Sequence, residues 1–256
     1  MVIDQPQCQQ YHSRRLRDVD QVVRLENGIR HVEIDDLVGK VDAALEEDGM
    51  DRNTMLIFSS DNGALLIKGD REKHGHSVNG VLRGGKAHPY EGGHRVPFIL
   101  HWPARIKQGG VLDVPVNAMD VFPTLSEMIE VPMPQDRTYD GVSLMPLLVG
   151  KPLARQRAQP FFYYNCENLQ AVRMSDWKLH LPRELKQLPF WDKNKAFVDI
   201  KHPVLYNLRT DREETVDVAS ANPEIVQEMR RRYQEFADRL ATRSPHAVDS
   251  AGTQPP

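Results

Sequence analysis

Cysteine is scarce in this chain of 256 residues: Cys8 and Cys166 are the only two. They make neither a disulfide framework nor a cysteine zinc site. No apolar run approaches the roughly 20 residues that span a bilayer. Neither sign of charge dominates, with 33 basic against 36 acidic residues and a net charge of −3. That balance removes the electrostatic case for nucleic acid or an anionic membrane as partner. The N-terminus is polar from its fourth residue and offers no apolar core of a secretory signal. No internal repeat is visible.

What is there reads as a folded globular chain, with 40% hydrophobic and 27% charged residues. The first ~25 residues are polar and aperiodic and predict irregular structure. From Ile29 to Leu45 the pattern changes: Val32, Ile34, Leu37, Val38, Val41, Ala44 and Leu45 recur at helical spacing. Gly49 ends this helix, and Met55 to Phe58 predicts a buried strand. "RVPFILHWP", Arg95 to Pro103, predicts another. Asp120 to Val131 suits a short helix with Pro123 in its first turn.

A basic, proline-containing break, Lys151 to Gln159, divides a first domain, 1–150, from a second, 151–243. In the second, "PFFYYN", "LQAVRMSDWKLHLP" and "PVLYNL" alternate in part and predict strands. Asn222 then caps, and Pro223 opens, an amphipathic helix carrying Ile225, Val226, Met229, Tyr233, Phe236 and Leu240. The tail, 244–256, is polar and is expected to fray.

The chemistry starts at "TMLIFSSDNG", Thr54 to Gly63. Asn-Gly is a strong hairpin signal, and "ALLIK" is a candidate returning strand. The other reading makes Asp61 and Asn62 oxygen donors at the carboxyl end of a strand, suited to a hard cation such as Ca²⁺ or Mg²⁺. Some twenty residues on, Gly84 and Gly85 precede Lys86 in "LRGGKAHPYEGGHRVPF". Paired glycines let backbone come close to a ligand, and a lysine there presents a compact positive charge.

In this order, "FSSDNG", "LRGGK", "YEGGHRVPFILHWP", "MDVFPTLSEMI" and "DGVSLMPLL" resemble the sulfatases of the alkaline-phosphatase superfamily. "LQAVRMSDWKLHL" and "LYNLRTDREETVDVA" resemble the small C-terminal subdomain of arylsulfatase-like members. The resemblance implies an α/β fold: part of an alkaline-phosphatase-like mixed sheet with flanking helices, then an α+β subdomain of antiparallel sheet and terminal helix. It implies that Asp61 and Asn62 ligate calcium and that Lys86 binds the sulfate of a small-molecule or carbohydrate sulfate ester. His88 stands beside Lys86 where relatives more often have a small hydroxyl residue, and is a candidate for touching the substrate. His76 is a candidate for the substrate mouth, with a solvated loop as its alternative. His180 reaches the cleft or is a packed strand histidine, and His12 matches the family's upstream sulfate-binding histidine by distance alone.

The family's nucleophile is a formylglycine made from a C/S-x-P-x-R motif. Neither Cys8 nor Cys166 has Pro at +2 or Arg at +4, so the motif is absent here. The family's N-terminal acidic pair, which supplies the other calcium ligands, is absent too; Asp35 and Asp36 lie on the helix before the SSDNG strand. The expectation is a chain of sulfatase lineage that is inactive alone, exposing strand edges and apolar faces. Two other readings stay open: a non-catalytic remnant of the fold, and a phosphoryl or phosphonate hydrolase of the same superfamily.

Overall fold

The computed structural model describes residues 2–3, 31–66, 75, 77–151, 160–165, 168–183 and 200–243. His12, His76, both cysteines and the tail lie outside the described residues. The chain divides into two compact units. One is Met1–Gly63, Ile67–Gly80 and Arg95–Arg157; the other is Ala64–Leu66, Val81–His94 and Ala158–Pro256.

The first unit holds a four-stranded mixed sheet in the order β2-β3-β1-β4. Its strands are β1 (Val2–Ile3), β2 (Leu56–Ser59), β3 (Phe98–His101) and β4 (Val111–Leu112). β3 pairs antiparallel with β2, Leu56 opposite His101, and with β1; β1 runs parallel to β4. Val2–Ile3 thus departs from the irregular structure expected of the N-terminal residues, because two β-branched residues take a ladder position between β3 and β4. The predicted strand at Met55 to Phe58 is present one residue later, and its partner is β3. Ala64, Leu65 and Leu66 are not strand, so no returning strand starts directly after Gly63.

Helix α1 (His31–Glu47) forms as its periodicity predicts. Its stripe is only half covered, however: Ile34, Val38 and Leu45 are half-buried, while Leu37 and Val41 are 60% and 47% exposed. The core gathers elsewhere, around Phe98, Leu100, Trp102, Ile106, Leu144, Leu147 and Leu148. Burial of each such aliphatic side chain contributes about 1.5–3 kcal/mol. Helix α3 (Val121–Met128) follows a 3₁₀ turn, Ala118–Asp120, and α4 (Met145–Leu148) packs into the same core.

Asp120 explains why "MDVFPT" and "DGVSL" belong together. Fully buried, it accepts the Asn117 N–H at 2.8 Å on one oxygen and the Val142 N–H at 2.9 Å on the other. Thr124 donates its hydroxyl to the Asp120 carbonyl and accepts the Leu144 N–H at 2.9 Å. The two motifs are one hydrogen-bonded corner.

The second unit holds an antiparallel sheet in the order β5-β6-β7-β8. Its strands are β5 (Phe161–Asn165), β6 (Asn168–Met174), β7 (Trp177–His180) and β8 (Val204–Asn207). Short helix α2 (Glu91–His94) and the long helix α5 (Pro223–Arg243) complete it. Pro223 opens α5 as expected, and the Asn222 carbonyl accepts the Val226 N–H at 3.2 Å. The Asn222 amide donates back to the Val218 carbonyl at 2.9 Å.

Alternation along these strands gives the sheet two different faces. Val172, Leu179 and Leu205 pack with Met229, Val226 and Tyr233 of α5. Cross-strand neighbours Arg173 and Lys178, Lys178 and Tyr206, and Tyr163 and Ala171 share the opposite face. A charged face would ordinarily meet water. Here Lys178, His180 and Ala171 are buried, because residues 83–91 and α2 lie over them.

Candidate active site

In the first unit, the end of β2 is shaped by its two serines. Ser59 donates its hydroxyl to the Pro97 carbonyl at 2.9 Å, holding the end of β2 beside the residues that lead into β3. Ser60 donates to the Asn62 carbonyl at 2.9 Å and closes the bend. Asp61 is exposed and Asn62 half-buried, and the Asn62 amide donates to Asp61 Oδ1 at 2.5 Å. The two side chains therefore lie together. They supply two oxygen donors, whereas calcium takes about six to eight. Among the described residues, no group of three or more His, Cys, Asp or Glu side chains is placed to hold a metal ion. The described residues alone do not make a calcium site, and no chemical step is routed through a cation.

In the second unit, Lys86 stands on a loop of closely packed backbone. Its N–H donates to the Ala64 carbonyl at 2.9 Å, while its side chain is exposed. The ammonium makes no ion pair among the described residues. Gly84 takes φ +74°, and Ala87 takes the strained value of +71° just after the lysine. The loop closes on itself where the Gly92 N–H donates to the Arg83 carbonyl at 2.8 Å. A Cβ on Gly92 would sit 2.3 Å from the Gly84 carbonyl oxygen, so only glycine fits there.

His88 is buried, and its Nδ1 accepts the Gly85 N–H at 3.1 Å. Its N–H in turn donates to the Gly85 carbonyl at 2.9 Å. The structure thus gives His88 a bracing position under Lys86. His180 is likewise packed inside its unit, fully buried and stacked on Tyr90 at 4.7 Å. Arg183, which can only donate, lies 3.4 Å from His180 Nδ1, so Nε2 carries the proton and donates to Glu214 Oε1 at 3.0 Å. Burial, with Lys178, Arg183 and Arg83 nearby, pushes His180 well below the ordinary histidine range.

Around these lies a charged cluster that alternation alone does not reveal. Glu91 accepts Lys178 Nζ at 2.9 Å, Arg173 at 3.3 Å and the Tyr163 hydroxyl at 3.3 Å. Glu214 lies 3.2 Å from Lys178 Nζ and accepts the Glu91 N–H at 2.6 Å. Burial pushes Glu214 up, and Lys178 pulls it part of the way back. Lys178 is raised despite its burial, because Glu214 and Glu91 hold its proton. Burial and Glu91 push the Tyr163 hydroxyl up to about 12. A lysine and a histidine flanking Leu179 in "WKLHL" were the sequence signal for this cluster.

Comparison with known proteins agrees with this architecture. The sulfatase family model matches residues 9–131, and the N-sulphoglucosamine sulphohydrolase C-terminal model matches residues 85–239. An N-acetylgalactosamine-6-O-sulfatase of Bacteroides thetaiotaomicron is 31% identical over 203 residues, which cover 77% of this chain and 39% of that protein. Human steryl-sulfatase is 42% identical over 144 residues, covering 55% of this chain and 24% of its own length. A solved structure from work on glycosaminoglycan metabolism by Bacteroides thetaiotaomicron has a TM-score of 0.68 and 30% identity, over 82% of this chain and 43% of that one. A Pseudoalteromonas sulfatase structure has a TM-score of 0.62 and 26% identity, over 82% of this chain and 41% of that one. The chain therefore spans less than half of the relatives it matches, and it belongs to the sulfatase family.

Proposed function

We propose that this chain is the C-terminal portion of a calcium-assisted sulfate-ester hydrolase, in which Lys86 binds the sulfate and Asp61 and Asn62 supply two ligands of a larger calcium set. The observation that carries this reading is the Lys86 loop: backbone groups pinned in place beneath one exposed ammonium. Hydrolysis of a sulfate monoester moves negative charge from the sulfuryl group onto the leaving oxygen. A fixed ammonium stabilises that charge better than water does, because it needs no reorganisation. When bound, a calcium ion would supply charge neutralisation of its own. The substrate class is a sulfated carbohydrate or other small molecule, as the names of the relatives suggest.

The sequence contains no C/S-x-P-x-R motif, so the chain by itself is expected to bind and not to turn over. The test is titration of the purified chain with inorganic sulfate and with a chromogenic aryl sulfate, each with and without calcium. Expected is sulfate binding that Lys86→Ala abolishes and that calcium changes little, because Asp61 and Asn62 are only part of a ligand set, with no hydrolysis. Binding unaffected by Lys86→Ala would defeat the reading. Hydrolysis that Lys86→Ala removes would overturn the inactivity.

A further inference from the structure

We propose that Glu214 is a positioning residue that clamps both ends of the 83–91 loop and thereby sets where the Lys86 ammonium stands. The inference rests on the reading of Lys86 as the sulfate-binding residue. At one end of the loop, the Arg83 guanidinium donates to the Glu214 carbonyl at 2.7 Å and to the Tyr206 hydroxyl at 3.2 Å. At the other, the Glu214 carboxylate accepts the Glu91 N–H at 2.6 Å. One residue thus grips the loop through its backbone and its side chain. Arg83 also lies over the Tyr90 ring at 4.3 Å, and Tyr90 stacks on His180, whose Nε2 donates to Glu214. The circuit closes on its starting point.

The backbone of Glu214 is in the left-handed region at φ +53°, costly for a residue with a Cβ. Neighbours hold it there. The Asp211 carboxylate accepts the Thr215 N–H at 2.9 Å and the Val216 N–H at 2.8 Å. Asp217 Oδ1 accepts the Leu205 N–H at 3.0 Å and the Ala219 N–H at 2.9 Å, fastening the same turn to β8. The segment "TDREETVDVA" is therefore a scaffold that turns one carboxylate inward to meet the loop.

The experiment uses the whole chain, reads amide hydrogen exchange by NMR, and takes inorganic sulfate as the probe. Glu214→Gln cannot accept from Glu91, Lys178 and His180 together, since its NH₂ must face one of these donors. Arg83→Lys removes the guanidinium fork at a half-buried position and serves as the second variant should the first fail to fold. Both should speed exchange at Lys86, His88 and Gly92 by about tenfold or more, while Val172 and Leu179 in the β6–β7 ladder change less than twofold. Both should weaken sulfate binding, whereas Lys86→Ala should abolish binding and leave exchange as in the wild type. Unchanged loop exchange in Arg83→Lys overturns the proposal. So does acceleration shared equally by β6 and β7, which marks lost folding and not lost positioning. A wild-type chain with no sulfate response at Lys86 defeats the sulfate reading alone, and loop exchange still decides the clamp.

Discussion

Lys178 shows how a single residue carries the second unit. Its ammonium is fully buried, 2.9 Å from Glu91 Oε1 and 3.2 Å from Glu214 Oε1. Taking a charge out of water is costly, and the two carboxylates offset that cost only while the lysine stands between them. Lys178→Met leaves Glu91 and Glu214 buried with one cation fewer. Expected is a loss of about 3–5 kcal/mol, measured by urea denaturation with the m-value held as a control. A loss below about 1 kcal/mol would mean that the pair contributes little beyond packing. This residue was only half legible in the sequence. Alternation places Lys178 and His180 on one face and Leu179 on the other, and such a face ordinarily meets solvent. Its cover comes from residues 83–91, nearly ninety positions earlier, and no local pattern announces a partner at that distance.

Elements were more legible where periodicity decides. Helices α1, α3 and α5 and strands β2 and β3 sit within a few residues of where spacing and prolines put them. The Asn-Gly hairpin fails because Ser60 closes a different bend and β2 takes its partner from β3. Glycines sort the elements by a sharper rule. Gly141 lies so close to the 3₁₀ turn before α3 that an added Cβ would meet the Met119 carbonyl oxygen at 2.0 Å. Gly39, inside α1, has nothing within 4 Å of the same atom. Gly141→Ala must therefore move backbone in the Asp120 corner, and a loss of about 1–3 kcal/mol or more is expected. Gly39→Ala should instead gain about 0.5–1 kcal/mol, since it restricts the unfolded chain and fits the helix. Thermal melting of the two variants reads both signs. Equal effects would mean that the corner at Asp120 yields more readily than its hydrogen bonds suggest.

At the scale of the whole molecule, the buried histidine couples stability to acidity. Groups facing His180 are Lys178, Arg183, Arg83, Glu91 and Glu214, with Tyr90 and Tyr206 against its ring. Its folded-state value is depressed, so the unfolded chain binds a proton below about pH 6.5 that the folded chain refuses. The contribution of His180 is complete above that pH and declines as pH falls, by up to about 1.4 kcal/mol per pH unit. His94, edge-on to Tyr163 at 4.9 Å, is pushed down to about 4 by burial and Lys178. His94 is an exposed residue, so solvent screens that effect and His180 is the larger source of pH dependence. Glu214 works in the opposite sense, because its raised value favours the folded state as pH falls toward the ordinary glutamate range. The two are separated by subtraction. His180→Gln retains an N–H for Glu214 but cannot take up a proton, so wild type minus variant isolates the histidine. Chemical denaturation between pH 8 and 5 should give a difference that is flat above about 6.5 and slopes downward below it. A difference that stays flat to pH 5 would show that His180 titrates normally in the folded chain. It would also show that the Tyr90–His180–Glu214 stack opens to water far more readily than its geometry implies.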